Sequence, residues 1–442
     1  MSTNQSAGWQ PILDGELRAC ALDSIYAIAD CLRANPRTSG ASFEASLASG
    51  PAGMALLFHY LALTDPGMEH PRWAQHLLGQ AADAVASLPM GASLYDGFPG
   101  VAWAAQHIDG ELEPGPDGVD RGDGVDLAVL ELVGRSPWRR DYDVVNGLVG
   151  LGVYALERFP HPAASECLVR IIQRLEELVV ADHRGLTFHT PYELLRSVDA
   201  AHHHPHGYYN LGVAHGVPGV LAFVGSVHAA GICQDRTRRL MLGMLDWIWA
   251  QRLPDGCAKE SRESVFPLYV GPGLEPQPAR TTWCYGDPGI SVAMLLAARA
   301  VGDRLWEERA LWLARKVAMR PAERTGVIDA GLCHGASGMA HMLNRLFQAT
   351  GEEMFRESAR SWFRRALDMR DPQRGLAGYL TYELLADGAT YGWIEDPGVL
   401  TGVAGIGLAL LGALTPIEPA WDGMLLTSLP PRLTTARADK VS

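Results

Sequence analysis

The sequence predicts an all-α protein, an α/α toroid built as a double-layered barrel of seven helical hairpins. Three observations carry that expectation. Gly-x-x-Gly recurs at 50/53, 97/100, 147/150, 216/219, 286/289, 335/338 and 402/405, and each pair precedes an apolar, alanine-rich run. Adjacent marks lie 47 to 70 residues apart, room for a helix after the glycines, a return helix and ordinary loops. Signals for β-strands are almost absent.

Four runs after the marks are dense in Leu, Ala, Val and Met: Val220 to Ala230, Ile290 to Val301, Met339 to Ala349 and Ile406 to Leu414. That composition suits helices buried on most sides. Between marks the pattern turns amphipathic. In Thr237 to Gln251, the residues Leu240, Met241, Met244, Leu245 and Ile248 keep a period near 3.6, with Arg238, Arg239 and Asp246 off the stripe. One apolar and one amphipathic helix per unit suit two concentric layers, apolar inside. The glycines are expected to allow positive φ at the helix entries and close backbone approach, gathering the marks at one mouth of the ring.

Residues 111–124, rich in Gly, Pro and Asp, and 182–210, with its His202-His203-His204-Pro205-His206 tract, fit the repeat poorly. They read as insertions in a single domain spanning 1–442. The histidine tract lacks the convergent geometry of a catalytic ligand set and is set aside.

With 48% hydrophobic and 20% charged residues, the chain has ample apolar surface for a core and no signature of disorder. A net charge of −13 without a dense Lys/Arg run argues against nucleic acid or an anionic membrane as partner. No stretch approaches the roughly 18 apolar residues of a membrane span, and the N-terminus lacks a secretory pattern, so a cytoplasmic location is expected. Seven thinly spread cysteines are no disulfide framework, and reduced thiols are expected. Cys20, Cys31 and Cys167, among helix-forming residues, read as small buried hydrophobes.

Chemistry concentrates just ahead of four marks: Asp143 before Gly147, His215 before Gly216, Cys284 before Gly286, and Cys333-His334 before Gly335. Cys284, Cys333 and His334 offer two thiols and one imidazole, the soft mixed donor set that suits one Zn2+ ion. Three ligands rather than four leave a position for a substrate atom, so the expected metal is catalytic. His215 stands where His334 stands in its own repeat, and an acid/base role beside the metal is preferred for it. His59, His107 and His228 lack such placement and read as structural.

With these residues assembled, the chain resembles the lanthionine synthetase C family over nearly its whole length. The motifs are Tyr142-Asp143-Val144-Val145-Asn146-Gly147-Leu148 with Gly150, and Asn210-Leu211-Gly212-Val213-Ala214-His215-Gly216 with Gly219. Arg280 with Trp283-Cys284-Tyr285-Gly286, Cys333-His334-Gly335 with Gly338, and the tail Trp421-Asp422 with Leu425-Leu426 complete the set. The resemblance implies a seven-hairpin toroid with one zinc on Cys284, Cys333 and His334. It further implies His215 and Asp143 as acid/base residues, and Arg280, Trp283 and Tyr285 lining the site.

The implied reaction is Michael addition of a peptide cysteine thiol to dehydroalanine or dehydrobutyrine, giving lanthionine or methyllanthionine rings. Whether His215 first takes the thiol proton or later protonates the α-carbon stays open. The expected substrate is a dehydrated precursor peptide, with a separate dehydratase and an export transporter as further partners. The chain itself is expected to be a stand-alone monomeric cyclase that reaches the membrane only through partners. Three alternatives remain: a relative that binds or adds glutathione-type thiols to dehydrated proteins, an α/α-toroid glycosidase using paired carboxylates, and a non-enzymatic scaffold that presents zinc-bound peptide.

Overall fold

The computed structural model describes residues 8–34, 45–65, 69–110, 120, 122–195, 204–254, 258–259, 262–385 and 390–429. The helices among them alternate between two layers. Outer helices are α1 (Gly15–Ala34), α3 (His70–Ser87), α5 (Asp123–Val133), α7 (Pro162–Leu178), α9 (Gln234–Ala250), α11 (Arg304–Ala318) and α13 (Glu353–Asp368). Inner helices are α2 (Pro51–Thr64), α4 (Phe98–Asp109), α6 (Leu148–Glu157), α8 (Val217–Ala229), α10 (Asp287–Val301), α12 (Ala336–Thr350) and α14 (Val403–Leu414).

Each inner helix packs on the next, and α14 packs on α2, so the inner layer closes into a ring. All of Val403–Leu414 is buried, whereas α13 buries Phe355, Ala359, Trp362, Phe363 and Ala366 and turns its charges outward. This is the expected toroid, with one difference in wiring. Among the described residues no return helix follows the seventh inner helix; α1 covers it from the other end of the sequence. Ile12 and Leu13 donate their amides to the Ala413 carbonyl, and Trp9 Nε1 donates to Gly412 O at 2.7 Å.

All seven marks are helix starts. Gly50, Gly97, Gly147, Gly216, Gly286, Gly335 and Gly402 are the N-cap residues of the seven inner helices. Their reason is close approach rather than the expected positive φ. Gly286 has φ +123°, but the other six lie between −96° and −139°. A Cβ on the second glycine of a mark would meet the carbonyl oxygen six residues earlier: Leu332 O at 1.8 Å for Gly338, and Trp283 O at 2.3 Å for Gly289. No side chain fits such gaps, so the turn folds tightly onto its helix.

Strands of two to four residues form two-stranded pairs in the connections between helices. β1 (Val179–Asp182) pairs with β2 (Gly185–Phe188), β3 (Tyr209–Asn210) with β6 (Tyr269–Val270), β4 (Ala258–Lys259) with β5 (Arg262–Glu263), and β7 (Thr381–Leu384) with β8 (Tyr391–Ile394). Residues 182–195 of the expected second insertion carry β2 and a 3-10 turn; residues 111–119, 121 and 196–203, including His202 and His203, lie outside the described residues. The entry to α5 at Asp123 belongs to the outer layer rather than to an insertion.

The bore of the ring holds the C-terminal 3-10 turn Ala420–Leu425. Trp421 N–H donates to Tyr60 OH, Asp422 pairs with His341 and Arg345, Tyr95 OH donates to Met424 O, and Trp283 Nε1 donates to Leu425 O. These partners come from four different units and tie the two sides of the ring together. Cys167 is buried as expected, but Cys31 is partly buried and Cys20 exposed, because α1 buries the stripe Leu17, Ala21, Ser24, Ile25 and Ile28 and Cys20 falls off it.

Candidate metal centre and acid/base pair

A belt of backbone hydrogen bonds links the turns ahead of the inner helices. Ala48 N–H donates to Tyr95 O (3.0 Å), Val144 to Ala214 (3.2 Å), Ala214 to Cys284 (3.3 Å), Cys284 to Cys333 (3.3 Å), Cys333 to Leu400 (2.7 Å) and Leu400 to Ala48 (3.1 Å). Ala48, Tyr95, Ala214, Cys284, Cys333 and Leu400 each stand two residues before their mark. Equal register in neighbouring units therefore becomes proximity in space. The marks gather at one mouth, and residues one or two positions before them surround it.

Cys284 and Cys333 share that register in adjacent units. Their sulfurs and an imidazole nitrogen of His334 all lie within 4.8 Å of one another. Packed this closely, the thiols do not titrate alike. A hydrogen bond from Cys333, reinforced by His334, holds Cys284 well below the ordinary thiol range against the effect of burial. The same bond, with burial and the Cys284 charge, pushes Cys333 well above it. Burial disfavours the His334 imidazolium, but Asp329 and Cys284 outweigh it and push the group up to about 11.

A thiolate beside an imidazolium is a charge pattern that a divalent cation can take over, displacing the protons. Two sulfurs and one nitrogen are also the donors zinc prefers, so the residues fit the implied ion. Thr282 Oγ1 lies 3.6 Å from Cys284 Sγ and donates to Tyr285 O at 2.7 Å, holding the Cys284 turn in shape.

One unit back, His215 Nδ1 lies 2.7 Å from Asp143 Oδ2, while Asp143 Oδ1 accepts Asn146 N–H at 2.6 Å. Asp143 is nearly buried, its side chain 9% exposed, and His215 is 34% exposed. A buried carboxylate on Nδ1 fixes the ring and its tautomer, the arrangement of a proton-transfer pair. The His215 ring lies 6.2 Å from that of Tyr285, whose hydroxyl accepts from Asn210 Nδ2 at 3.2 Å.

Arg280 is partly buried and makes no ion pair among the described residues. Trp283 is buried at 1% exposure; its indole reaches the Tyr95 ring at 6.3 Å and donates to the Leu425 carbonyl. Two carboxylates beside His334 escaped the sequence reading. Asp329 Oδ2 lies 3.1 Å and Glu383 Oε1 3.8 Å from His334 Nε2. Glu383 arrives on β7, and burial raises its pKa while His334 opposes the rise.

Comparison with known proteins gives this site its family. The chain belongs to the lanthionine synthetase C-like proteins, whose family pattern matches residues 41–426. Among its relatives are the nisin biosynthesis protein NisC of Lactococcus lactis subsp. lactis, 25% identical over 214 residues, and the glutathione S-transferase LANCL1 of Danio rerio, 27% identical over 147 residues. These matches cover 45% and 32% of this chain, and 47% and 31% of the respective relatives, less than half of either. The solved structure of nisin cyclase superposes with a TM-score of 0.74 at 20% identity, over 93% of this chain and 98% of that one, and shares its toroid fold. Among the described residues no helix is long and apolar enough to cross a membrane.

Proposed function

We propose that this protein is a zinc-dependent lanthipeptide cyclase, adding a cysteine thiol of a dehydrated precursor peptide to a dehydroalanine or dehydrobutyrine of the same peptide. The observation that carries the reading is the meeting of two chemistries at one mouth: the Cys284, Cys333 and His334 cluster, and the His215–Asp143 pair in the neighbouring unit. Cys284, Cys333 and His334 would hold one zinc ion with three protein donors, the open set of a catalytic site. Bound zinc lowers the pKa of a coordinated thiol and so supplies a thiolate near pH 7.

The addition forms an S–Cβ bond, moves the alkene electron pair toward the amide as an enolate, and places a proton on the α-carbon. His215 manages that proton, with Asp143 holding Nδ1 so that exchange takes place at Nε2. Arg280, with its charge uncommitted to any ion pair among the described residues, stabilises the enolate oxygen. Tyr285 walls the space between His215 and the ligand turn, and Trp283 anchors that turn on the filled bore.

A dehydratase must act first, because the alkene has to exist before the thiol can add. A cytoplasmic location, a single-domain monomer and hand-over to an exporter belong to the same reading. Incubation of the zinc-loaded protein with a dehydrated precursor is expected to remove one free thiol per ring without changing the peptide mass. Full retention of thiols contradicts it.

The likeness to LANCL1, named a glutathione S-transferase, favours one second reading, in which a small free thiol is the nucleophile. Offering glutathione with the dehydrated peptide separates the two: an adduct gains the mass of glutathione, whereas cyclisation gains none.

A further inference from the structure

We propose that Asp329 is the positioning residue of the metal centre: it holds the Nε2 side of His334 and commits Nδ1 to the cation. The inference rests on the metal reading above and adds the choice of ligand atom. Asp329 is 2% exposed and faces three ways. Its Oδ1 accepts Gly331 N–H at 3.3 Å, its Oδ2 accepts Tyr382 N–H at 3.3 Å, and its main-chain carbonyl accepts Ala336 N–H at 2.9 Å. The same Oδ2 meets the fully buried His334 Nε2 at 3.1 Å, off the ideal hydrogen-bond line. One carboxylate thus spans the ligand turn, the ligand ring and β7.

The repeat supplies an internal control. Asp329 stands six residues before Gly335, and Asp396 stands six before Gly402. Asp396 Oδ1 accepts Gly398 N–H at 2.7 Å, and its Oδ2 accepts the hydroxyl of Thr401, the residue directly before the mark, as His334 is in its own unit. Asn210, at the same position before Gly216, accepts Gly212 N–H at 2.7 Å. The bond from the fourth position to the sixth thus recurs in three units, and contact between the sixth and first positions before the mark recurs in the last two. In the sixth unit that contact falls on a metal-binding imidazole.

The chemistry follows directly. An imidazole whose one nitrogen is held against a carboxylate can ligate only through the other, and the carboxylate fixes the ring plane and strengthens the donor. Glu383, at 3.8 Å and 31% exposed, is the outer of the two acids and too distant to set the tautomer.

The test uses the full-length protein. In zinc-loaded wild type labelled with 15N-histidine, long-range 1H–15N correlations are expected to show His334 protonated at Nε2 and metal-bound at Nδ1. The opposite tautomer overturns the proposal without any substitution in Asp329. By chelator competition, Asp329→Asn and Asp329→Ala are expected to lose about 10-fold to 100-fold in zinc affinity, with Asp329→Glu restoring part of it. In the cobalt(II) protein the ligand-field bands should shift while thiolate charge-transfer bands persist. Unchanged affinity and spectra overturn the proposal. In a His334→Cys background Asp329→Asn is expected to cost no further affinity, and an equal loss in both backgrounds, the mark of a purely structural role, overturns it too. A wild-type protein that binds no metal removes the zinc reading itself, an outcome distinct from unchanged affinity in the Asp329 variants.

Discussion

The Cys284 amide donates to the Cys333 carbonyl at 3.3 Å, and this one backbone bond brings together two thiols that lie 49 residues apart in the chain. It is a link in the belt that joins the turns of successive units around one mouth. Because the two cysteines share a register, the bond that links their turns also sets their sulfurs side by side. His334 follows in the same turn as Cys333, and His215 follows Ala214, whose amide donates to the Cys284 carbonyl. The Cys284, Cys333 and His334 cluster and the His215–Asp143 pair are thus assembled by the repeat itself.

His215→Ala and Asp143→Asn should separate proton transfer from metal binding. Each is expected to slow ring formation about 10²-fold to 10⁴-fold while zinc content stays at the wild-type level. Ring formation by thiol titration and metal content by elemental analysis check the two halves. Loss of zinc in either variant would place these residues in the metal site instead.

The second glycine of a mark tolerates no side chain. Gly338→Ala would set a Cβ 1.8 Å from the Leu332 carbonyl oxygen and is expected to destabilise the fold by about 1 to 3 kcal/mol or more. Gly79→Ala, inside α3 with nothing within 4 Å, is expected to stabilise by about 0.5 to 1 kcal/mol. Urea denaturation of both variants compares them. Equal effects would mean that the tight approach at the helix entry carries no energy.

The bore gives a pH dependence with a definite sign. Burial alone would raise the pKa of Asp422, but Arg345 and His341 outweigh it and hold the carboxyl well below the usual range. Its folded pKa is therefore below the unfolded value of about 3.9, so its stabilisation is fully present above that pH and fades as pH falls toward the folded value. Asp422→Asn is expected to cost about 2 to 3 kcal/mol near neutral pH, since buried Arg345 keeps only the exposed Glu418 as an ionic partner. It should also flatten the stability loss between roughly pH 4 and 2 that wild type shows in urea titrations.

Much of this was legible in the sequence, and the limits have physical causes. The seven glycine marks are the seven inner-helix starts, and Cys284, Cys333 and His334 meet because their register is shared. Amphipathic stretches do not say which inner helix they cover, so α1 as the outer partner of α14 was out of reach. Positive φ was the wrong reason for most mark glycines, because a carbonyl six residues back, visible only in three dimensions, occupies the space of a Cβ. Glu383 lies on a hairpin outside the repeat and gave no signal. Asp329 did give one: Asn210, Asp329 and Asp396 all stand six residues before a mark, a periodicity that lies beyond the immediate neighbours of the glycines.

The central claim is that Cys284, Cys333 and His334 converge to hold one zinc ion. Elemental analysis of the purified protein beside Cys284→Ala and Cys333→Ala tests it most directly. The account predicts one zinc per wild-type chain and essentially none in either variant, with all three proteins folded by circular dichroism. Wild type without zinc, or variants that keep it in full, would contradict the account.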